Sequence, residues 1–577
     1  MKSASPGERP GSRRLQRSCI IPAAIPTDEQ SLAGCAAVNS GSYPGVVLPR
    51  ELREQYYAAG HWRTEDFWTT FEKVAARDPR ATAYVEGERS ISFVELAAEA
   101  RRFGSAALAR GLQAGDVMIV HGRHCIEANV AILGCAYAKL VVALLPHMFS
   151  AEQIRSTIEA AGAKAIVGLG EPAETERVRS AADALQLGLV VIRDESAGGA
   201  GSSWSDFVRS GSTAEPPRTP MSAEDLVLLT FSSGTTGTPK GVMHSSNTLR
   251  FAAETYARVQ GIGPADTSLV VTAFGFIGSS VLGTYLTYFS GCRTVLLRNW
   301  NVDDTLALIQ KHRATHILLM PTHAIDVLNS PKLDATDCSS LRRGVLAGLG
   351  EPHRLDARKR LCAKPFPMYG MSESPGHCTG WMEDDWERLR TTEGRPLPGT
   401  EVLICDDDER PLPAGEPGNI LLRGPNRFLG YYRADELNKA SFSTQGYLRT
   451  GDIGVLDADG YMTFMTRSKD IIRRGGVTIT PADVEAALRP HPRIADVAVI
   501  GLPDPRLGER TCACVITRDG EDVSLEELTA FLQGRDFARY QWPEHVVRCE
   551  TFPRTPSLKV QKPELRKQVI ARLEGKG

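Results

Sequence analysis

No long block of like charge interrupts this chain, whose 67 lysines and arginines almost cancel its 69 aspartates and glutamates. Neither a nucleic-acid-binding tail nor an acidic interaction tail is therefore indicated, and small molecules are the expected partners. Internal repeats are lacking too. Cysteine is present but not in ligand spacing. The 12 cysteines are scattered from Cys19 to Cys549, and the only close pair, Cys512 and Cys514, lies in TCACVI. On a strand that spacing puts both thiols on one face, as core residues rather than metal ligands, which would need further Cys or His nearby. Free thiols in a reducing, cytoplasmic setting are the simplest reading. With 577 residues the chain is several times longer than a typical domain, so at least two domains with a sizeable core are expected.

Two segments bear on location. The stretch from Met1 to about Pro44 is rich in Ser, Gly, Pro and Arg, with Arg13, Arg14 and Arg17 before the short apolar run CIIPAAIP. Two prolines in that run, and Asp28 just after it, favour a disordered extension over residues 1–45 rather than a targeting peptide. Thr267 to Cys292 carries no charge and is long enough to span a bilayer. Its glycines and hydroxyl residues, and the turn signal GPAD before it, point instead to a buried strand followed by a buried helix.

The body reads as alternating helices and strands. ISFVELAAEARRFGSAALARGL is an amphipathic helix, AGDVMIVHG a short strand, and CIEANVAILGCAYAKLVVALLP a helix leading into a strand. That rhythm predicts an α/β fold of layered subdomains with parallel sheet. From Gly394 the texture changes to short strands between Pro-Gly and Asp turns, a β-rich subdomain. After TRSKDIIRRGG the last hundred or so residues read as a compact α+β unit. The expected division is a large N-terminal domain over 46–467 and a small, mobile C-terminal domain over 468–577.

The most informative stretch is LLTFSSGTTGTPKGVMHS, from Leu228 to Ser245. An apolar strand passes into a loop of hydroxyls and glycines ending in Lys240. Gly234, Gly237 and Gly241 let the backbone turn, while Ser232, Ser233, Thr235, Thr236 and Thr238 add donors beside the exposed amides, a composition suited to polyphosphate. G-x-x-x-x-G-K-[ST] cannot be laid over GTTGTPKG, so this is not the Walker-type loop. The bland alternative is a Ser/Thr/Gly surface turn. A competing nucleotide pattern lies in AKAIVGLGEPAETERVRSAADAL, where Gly168, Gly170 and Ala173 give G-x-G-x-x-A between strand and helix, with Asp194 downstream as the acidic ribose ligand. That pattern would make the protein a dinucleotide-binding oxidoreductase.

The hydroxyl-rich loop resembles the signature of the adenylate-forming superfamily of acyl- and aryl-CoA synthetases, luciferases and peptide-synthetase adenylation domains. The resemblance runs in consistent order from about Leu52 to Lys567. It implies that Thr230, Ser232, Ser233, Gly234, Thr235, Thr236, Gly237 and Lys240 bind the phosphates of ATP. Tyr369, Gly370, Met371, Ser372 and Glu373 (YGMSE) resemble the second nucleotide motif: an aromatic on adenine, a hydroxyl at the α-phosphate, and a carboxylate for Mg²⁺, which takes one or two carboxylates plus phosphate oxygens. AGLGEP places Gly350, Glu351 and Pro352 along the adenine, and YLRTGDIG and MTRSKD place Asp452 and Arg467 on the ribose. One carboxylate offers two oxygens to a diol.

The same resemblance makes Lys469 the hinge, and Gly475 and Gly476 the thiol channel with Arg473 and Arg474 facing the phosphates of coenzyme A. Lys559, in FPRTPSLKVQK, becomes the catalytic lysine beside Ser372 and Glu373. Leu558 departs from the usual glycine and disfavours positive φ. Thr480, Pro481 and Asp483 signal a helix entry. The implied reaction is ATP-dependent activation of a carboxylic acid as an acyl-adenylate with release of pyrophosphate, then transfer to the CoA thiol. A carrier-protein pantetheine or an amine would fit the same core, and a non-catalytic ATP-binding sensor is the alternative of another class. Phe274, Gly275 and Phe276 align with the acyl pocket. Gly275 stands where amino-acid-activating relatives carry aspartate, and the asparagine of dihydroxybenzoate-activating relatives is missing. An apolar aliphatic, alicyclic or aryl acid is therefore expected.

Overall fold

The computed structural model describes residues 48–193, 202–213, 222–232, 240–474, 477–535, 537–555 and 560–575. Two large sheets carry its bulk. One has seven strands in the order Lys364–Phe366, Arg343–Leu346, His316–Leu319, Thr267–Val270, Arg293–Leu296, Thr82–Glu86 and Arg89–Ser92, all parallel except the last. The other runs Gly430–Tyr431, Lys240–Ser245, Leu226–Ser232, Val141–Pro146, Val117–Gly122, Ala165–Leu169, Leu189–Ile192 and Ser202–Ser203. Its strands are parallel except Lys240–Ser245, which pairs antiparallel with both of its neighbours. Val117–Gly122, Val141–Pro146 and Ala165–Leu169 are buried at every position. Near-continuous apolar runs are what parallel strands covered on both faces require.

Local chemistry sets the covering helices. Ser92 and Glu95 form a reciprocal capping box that starts the helix Phe93–Ala109. This helix meets Ile126–Ala138 where Gly104 and Gly134 face each other. A Cβ on Gly104 would stand 2.6 Å from the Gly134 carbonyl oxygen, so only glycine permits this approach. The expected helix and strand assignments in this region hold. So does the expectation for the charge-free stretch: strand Thr267–Val270 leads into a buried helical run from Ile277 to Ser290, whose middle, Ser280–Thr284, is π-helical. Among the described residues no helix is long and apolar enough to cross a membrane.

The change of texture at Gly394 marks a real change of architecture. Glu401–Cys405, Gly418–Arg423, Leu448–Leu456 and Met462–Arg467 form a four-stranded antiparallel sheet, and Met368–Met371, Ser374–Thr379 and Arg395–Pro396 a three-stranded one. A last sheet draws its strands from residues 472–548: Val477–Ile479, Ile472–Arg474, Gly508–Thr517, Ile494–Asp504 and His545–Arg548. Helices Pro481–Leu488, Leu525–Gln533 and Lys562–Leu573 accompany it. Cys512 and Cys514 are both buried on one of its strands, as their spacing predicts. Thr480 does sit at the N-cap before Pro481, but its hydroxyl makes no backbone cap and meets the Asp483 carboxylate instead.

The carboxyl edges of the two large sheets meet at one point. The turn after Thr267–Val270 places Gly275 at φ +88°, where a Cβ would lie 2.9 Å from the nitrogen of Pro146, the last residue of Val141–Pro146. Ligands of open α/β sheets bind at such strand ends.

Candidate active site

The antiparallel pair Leu226–Ser232 and Lys240–Ser245 flanks the hydroxyl-rich segment, with Ser232 opposite Lys240. Ser233, Gly234, Thr235, Thr236 and Gly237, the side chain of Ser232, the extension 1–45, Asp194, Gly475, Gly476 and Lys559 lie outside the described residues. Thr230 is buried on the strand Leu226–Ser232, and its hydroxyl has no hydrogen-bond partner among the described residues. Lys240 ends the loop with its ammonium 5.9 Å from the centre of the Tyr431 ring. The Tyr431 hydroxyl donates to Glu373 Oε1 at 2.7 Å. Burial, and then the Glu373 charge, push that phenol well above its ordinary range. Strand Gly430–Tyr431 reaches this place because it pairs with Val242 and Met243 beside the loop. A lysine, a phenol and a carboxylate thus line one corner.

Tyr369 to Glu373 crosses between that corner and a second one. The Tyr369 hydroxyl donates to Asp452 Oδ2 at 2.7 Å, and its ring stacks on Phe464 with centroids 6.0 Å apart. Tyr369 and Asp452 are both buried, and burial together with the carboxylate raises the Tyr369 phenol far above its usual range. Asp452 lies opposite Arg467 across the sheet, with Oδ1 3.7 Å from the guanidinium Nε. Its amide is anchored on the Thr450 hydroxyl at 3.0 Å. Three residues assigned separately to adenine and ribose therefore form one contiguous set.

The turn itself is pinned from beneath. His244 donates from Nε2 to the Ser372 carbonyl at 2.8 Å. Burial lowers this imidazole to about 4, so it is neutral near pH 7 and keeps one donor and one acceptor. The Glu373 carbonyl accepts from the Phe428 amide at 2.8 Å. Gly350 caps the helix Glu351–Arg360 with Pro352 in its first turn, and the Glu351 carboxylate is engaged by Arg390.

Phe274 is buried edge-on to His124, while Phe276 is half-buried. Lys469 is exposed in the short turn Ser468–Asp470. Arg473 is exposed, its backbone amide bonded to Glu509. Arg474 is committed elsewhere: Nε and Nη2 donate to the two Glu544 oxygens at 2.8 and 2.9 Å. Tyr431, Phe464 and His244 were not anticipated. Only His244 had a signal within reach, a histidine closing the strand KGVMHS.

The competing loop does not offer a pyrophosphate cradle. Gly168 to Ala173 does join strand Ala165–Leu169 to helix Pro172–Ala184. The Glu174 carboxylate, however, occupies the helix N-terminus, accepting from the Glu171 amide at 2.8 Å and pairing with Arg123. A Cβ on Gly170 would lie 2.3 Å from Glu174 Oε2. A resident anion fills the position where that motif receives its ligand.

Layered α/β subdomains, a hydroxyl-rich loop after a buried strand, and a Tyr-Asp-Arg set beside a carboxylate define an adenylate-forming enzyme. The profile of AMP-binding enzymes matches residues 71–432, and that of the AMP-binding enzyme C-terminal domain matches residues 483–559. The chain belongs to this family and is an AMP-forming acid ligase. It is 30% identical to the medium-chain fatty-acid–CoA ligase of Escherichia coli, over 92% of this chain and 94% of that one. Identity to the 2,3-dihydroxybenzoate-AMP ligase of Bacillus subtilis is 31%, over 91% and 97%. The crystal structure of ATP-bound MatB from Rhodopseudomonas palustris superposes with a TM-score of 0.79 at 26% identity, covering 87% of this chain and 99% of that one.

Proposed function

We propose that the protein activates an apolar aliphatic, alicyclic or aryl carboxylic acid with ATP, releases pyrophosphate, and passes the acyl group from the acyl-adenylate to the thiol of coenzyme A. The observation that carries this reading is the convergence of two residue sets on one turn: Tyr369, Asp452 and Arg467 at one end, Glu373, Tyr431 and Lys240 at the other. The first suits a nucleoside, with a carboxylate for the ribose diol. The second suits a polyphosphate, with a cation and a carboxylate side by side.

Glu373 would hold Mg²⁺ as a single carboxylate, the remaining positions falling to phosphate oxygens and water. Its oriented Oε1 fits that role, and among the described residues no cluster of three or more His, Cys, Asp or Glu side chains offers an alternative metal site. The bound ion supplies charge neutralisation on the phosphates. Lys240 and the loop hydroxyls orient the triphosphate, Ser372 meets the α-phosphate, and Lys559 bridges it to the incoming carboxylate. The acid then attacks the α-phosphorus, its oxygen forming the new bond as the bond to pyrophosphate breaks. Catalysis is positioning plus electrostatic stabilisation.

Rotation of the 468–577 unit about Lys469 would withdraw Lys559 and present Gly475 and Gly476 to the thiol. A carrier-protein thiol or an amine is the second reading of the acceptor, favoured by the engagement of Arg474 with Glu544. The buried cysteines of the described core are all unpaired, which supports a reducing, cytoplasmic setting.

Lys559→Ala tests the first step: acid-dependent pyrophosphate release should vanish while thioester formation from supplied acyl-adenylate survives. Lys469→Pro should do the reverse, because the ring fixes φ at the joint. Pyrophosphate release at the wild-type rate from the first variant, or an unimpaired second step in the second, would remove the corresponding role.

A further inference from the structure

Three polar atoms around the Phe274–Gly275–Phe276 turn are buried and have no hydrogen-bond partner among the described residues: His124 Nδ1, Thr272 Oγ1 and Ser280 Oγ. Their residues are 2%, 4% and 1% exposed. Buried polar groups are nearly always paired, so three orphans in one place need an explanation. His124 follows the carboxyl end of strand Val117–Gly122 and comes up under the turn from the other sheet. Its ring stands edge to face with Phe274, centroids 5.4 Å apart at 86°.

Ser279 fixes the ring. His124 Nε2 lies 2.8 Å from Ser279 Oγ, and that hydroxyl donates to the Thr272 carbonyl at 3.3 Å. If Ser279 gives its proton to that carbonyl, Nε2 carries the imidazole hydrogen and Nδ1 is the acceptor. Burial holds this imidazole at about 4, so it stays neutral. Ser280 opens the π-helical stretch Ser280–Thr284, a rare geometry that recurs at functional sites. Leu282 of that stretch is the first atom group a side chain on Gly376 would meet, at 3.1 Å, so the orphan cluster adjoins the strand that follows the nucleotide turn. Gly275 itself has no room for a polar side chain beside Pro146.

We infer that His124 is a specificity-determining residue: held by Ser279, its Nδ1 accepts a hydrogen bond from a hydroxyl or amine on the acyl body. The enzyme then selects a hydroxylated or amino-substituted aryl or alicyclic acid over the bare hydrocarbon acid, with Thr272 and Ser280 as further hydrogen-bonding partners. This rests on the reading that Phe274 and Phe276 border the acid.

The test is acid-dependent pyrophosphate release across matched pairs: benzoate against its 2-, 3- and 4-hydroxy and amino derivatives, and cyclohexanecarboxylate against its hydroxy derivatives. Wild-type kcat/KM should favour at least one substituted member over its parent by about tenfold or more, since a site built for a donor rejects the analogue lacking it. His124→Phe, which keeps an aromatic ring against Phe274, should bring that ratio to within about twofold, and Ser279→Ala should lower it. A merely structural role would depress both members of a pair together and leave the ratio unchanged, which overturns the inference. A wild-type enzyme that releases pyrophosphate but prefers no substituted acid overturns it too, without any variant needing to fold. No release with any acid would instead overturn the acid-activating reading itself.

Discussion

Asp452→Asn tests the proposed nucleotide end of the site. Asp452 Oδ2 already accepts from Tyr369, and Oδ1 faces Arg467 at 3.7 Å. The carboxylate can accept from a ribose diol while keeping both neighbours, whereas asparagine has one oxygen and an amide whose protons oppose either the phenol hydrogen or the guanidinium. On the ribose assignment, at least one charge-assisted hydrogen bond to the nucleotide would be lost. Such bonds contribute about 1.5–3 kcal/mol, which corresponds to a roughly 10- to 150-fold rise in KM for ATP. The ribose does not change during the reaction, so kcat should fall much less than kcat/KM. Tyr369→Phe leaves the carboxylate intact and removes only its orienting partner, so its effect should be the smaller of the two. The assay is initial pyrophosphate release against ATP concentration at saturating acid, with ATP-induced thermal stabilisation as an independent measure of binding. A KM for ATP within about twofold of wild type for Asp452→Asn, in a folded variant, would refute the ribose assignment.

Tyr431→Phe removes the hydroxyl that orients Glu373, and loss of such a supporting contact weakens metal affinity by about tenfold or more. The Mg²⁺ concentration for half-maximal activity should rise accordingly, and an unchanged Mg²⁺ titration would detach Tyr431 from the metal. Arg473→Ala should raise KM for coenzyme A, whereas Arg474→Ala should lower thermal stability and leave that KM alone, because Glu544 already holds Arg474. The opposite pattern would show that the ion pair opens in the thiol-accepting state. Acid should unfold the protein early. His121, His124, His244, His323 and His377 are pushed by burial to about 4, and His316 to about 3. Folded values below the unfolded value mean that the unfolded state binds more protons, so stability is complete above about pH 6.5 and falls toward pH 4. Each of these histidines therefore lowers stability at pH 5 relative to pH 7. A denaturant midpoint unchanged between pH 7 and pH 5 would contradict their buried, neutral state.

Much of this was legible in the chain because its signals are local. Apolar and amphipathic runs gave Phe93–Ala109, Val117–Gly122 and Ile126–Ala138, and the Pro-Gly and Asp turns after Gly394 gave the antiparallel sheet. YGMSE and TGD could be matched to a nucleotide site by order along the chain. Their joining could not: Tyr369 and Asp452 are 83 residues apart, and only the pairing of two separate sheets brings phenol to carboxylate. Tyr431 was invisible for the same reason, since nothing in FLGYY says that its hydroxyl meets Glu373, 58 residues earlier. G-x-G-x-x-A stayed a competing reading because spacing alone could not reveal that Glu174 folds back onto its own helix N-terminus. Arg474 looked available because Glu544, its partner, lies 70 residues away.

The central claim is that this site joins an organic acid to AMP. Acid-dependent exchange of labelled pyrophosphate into ATP measures that step alone, without any thiol acceptor. Exchange should require both Mg²⁺ and one member of a carboxylic-acid panel, and should be lost in Glu373→Gln. Tight ATP binding with no exchange for any acid in the panel would contradict it.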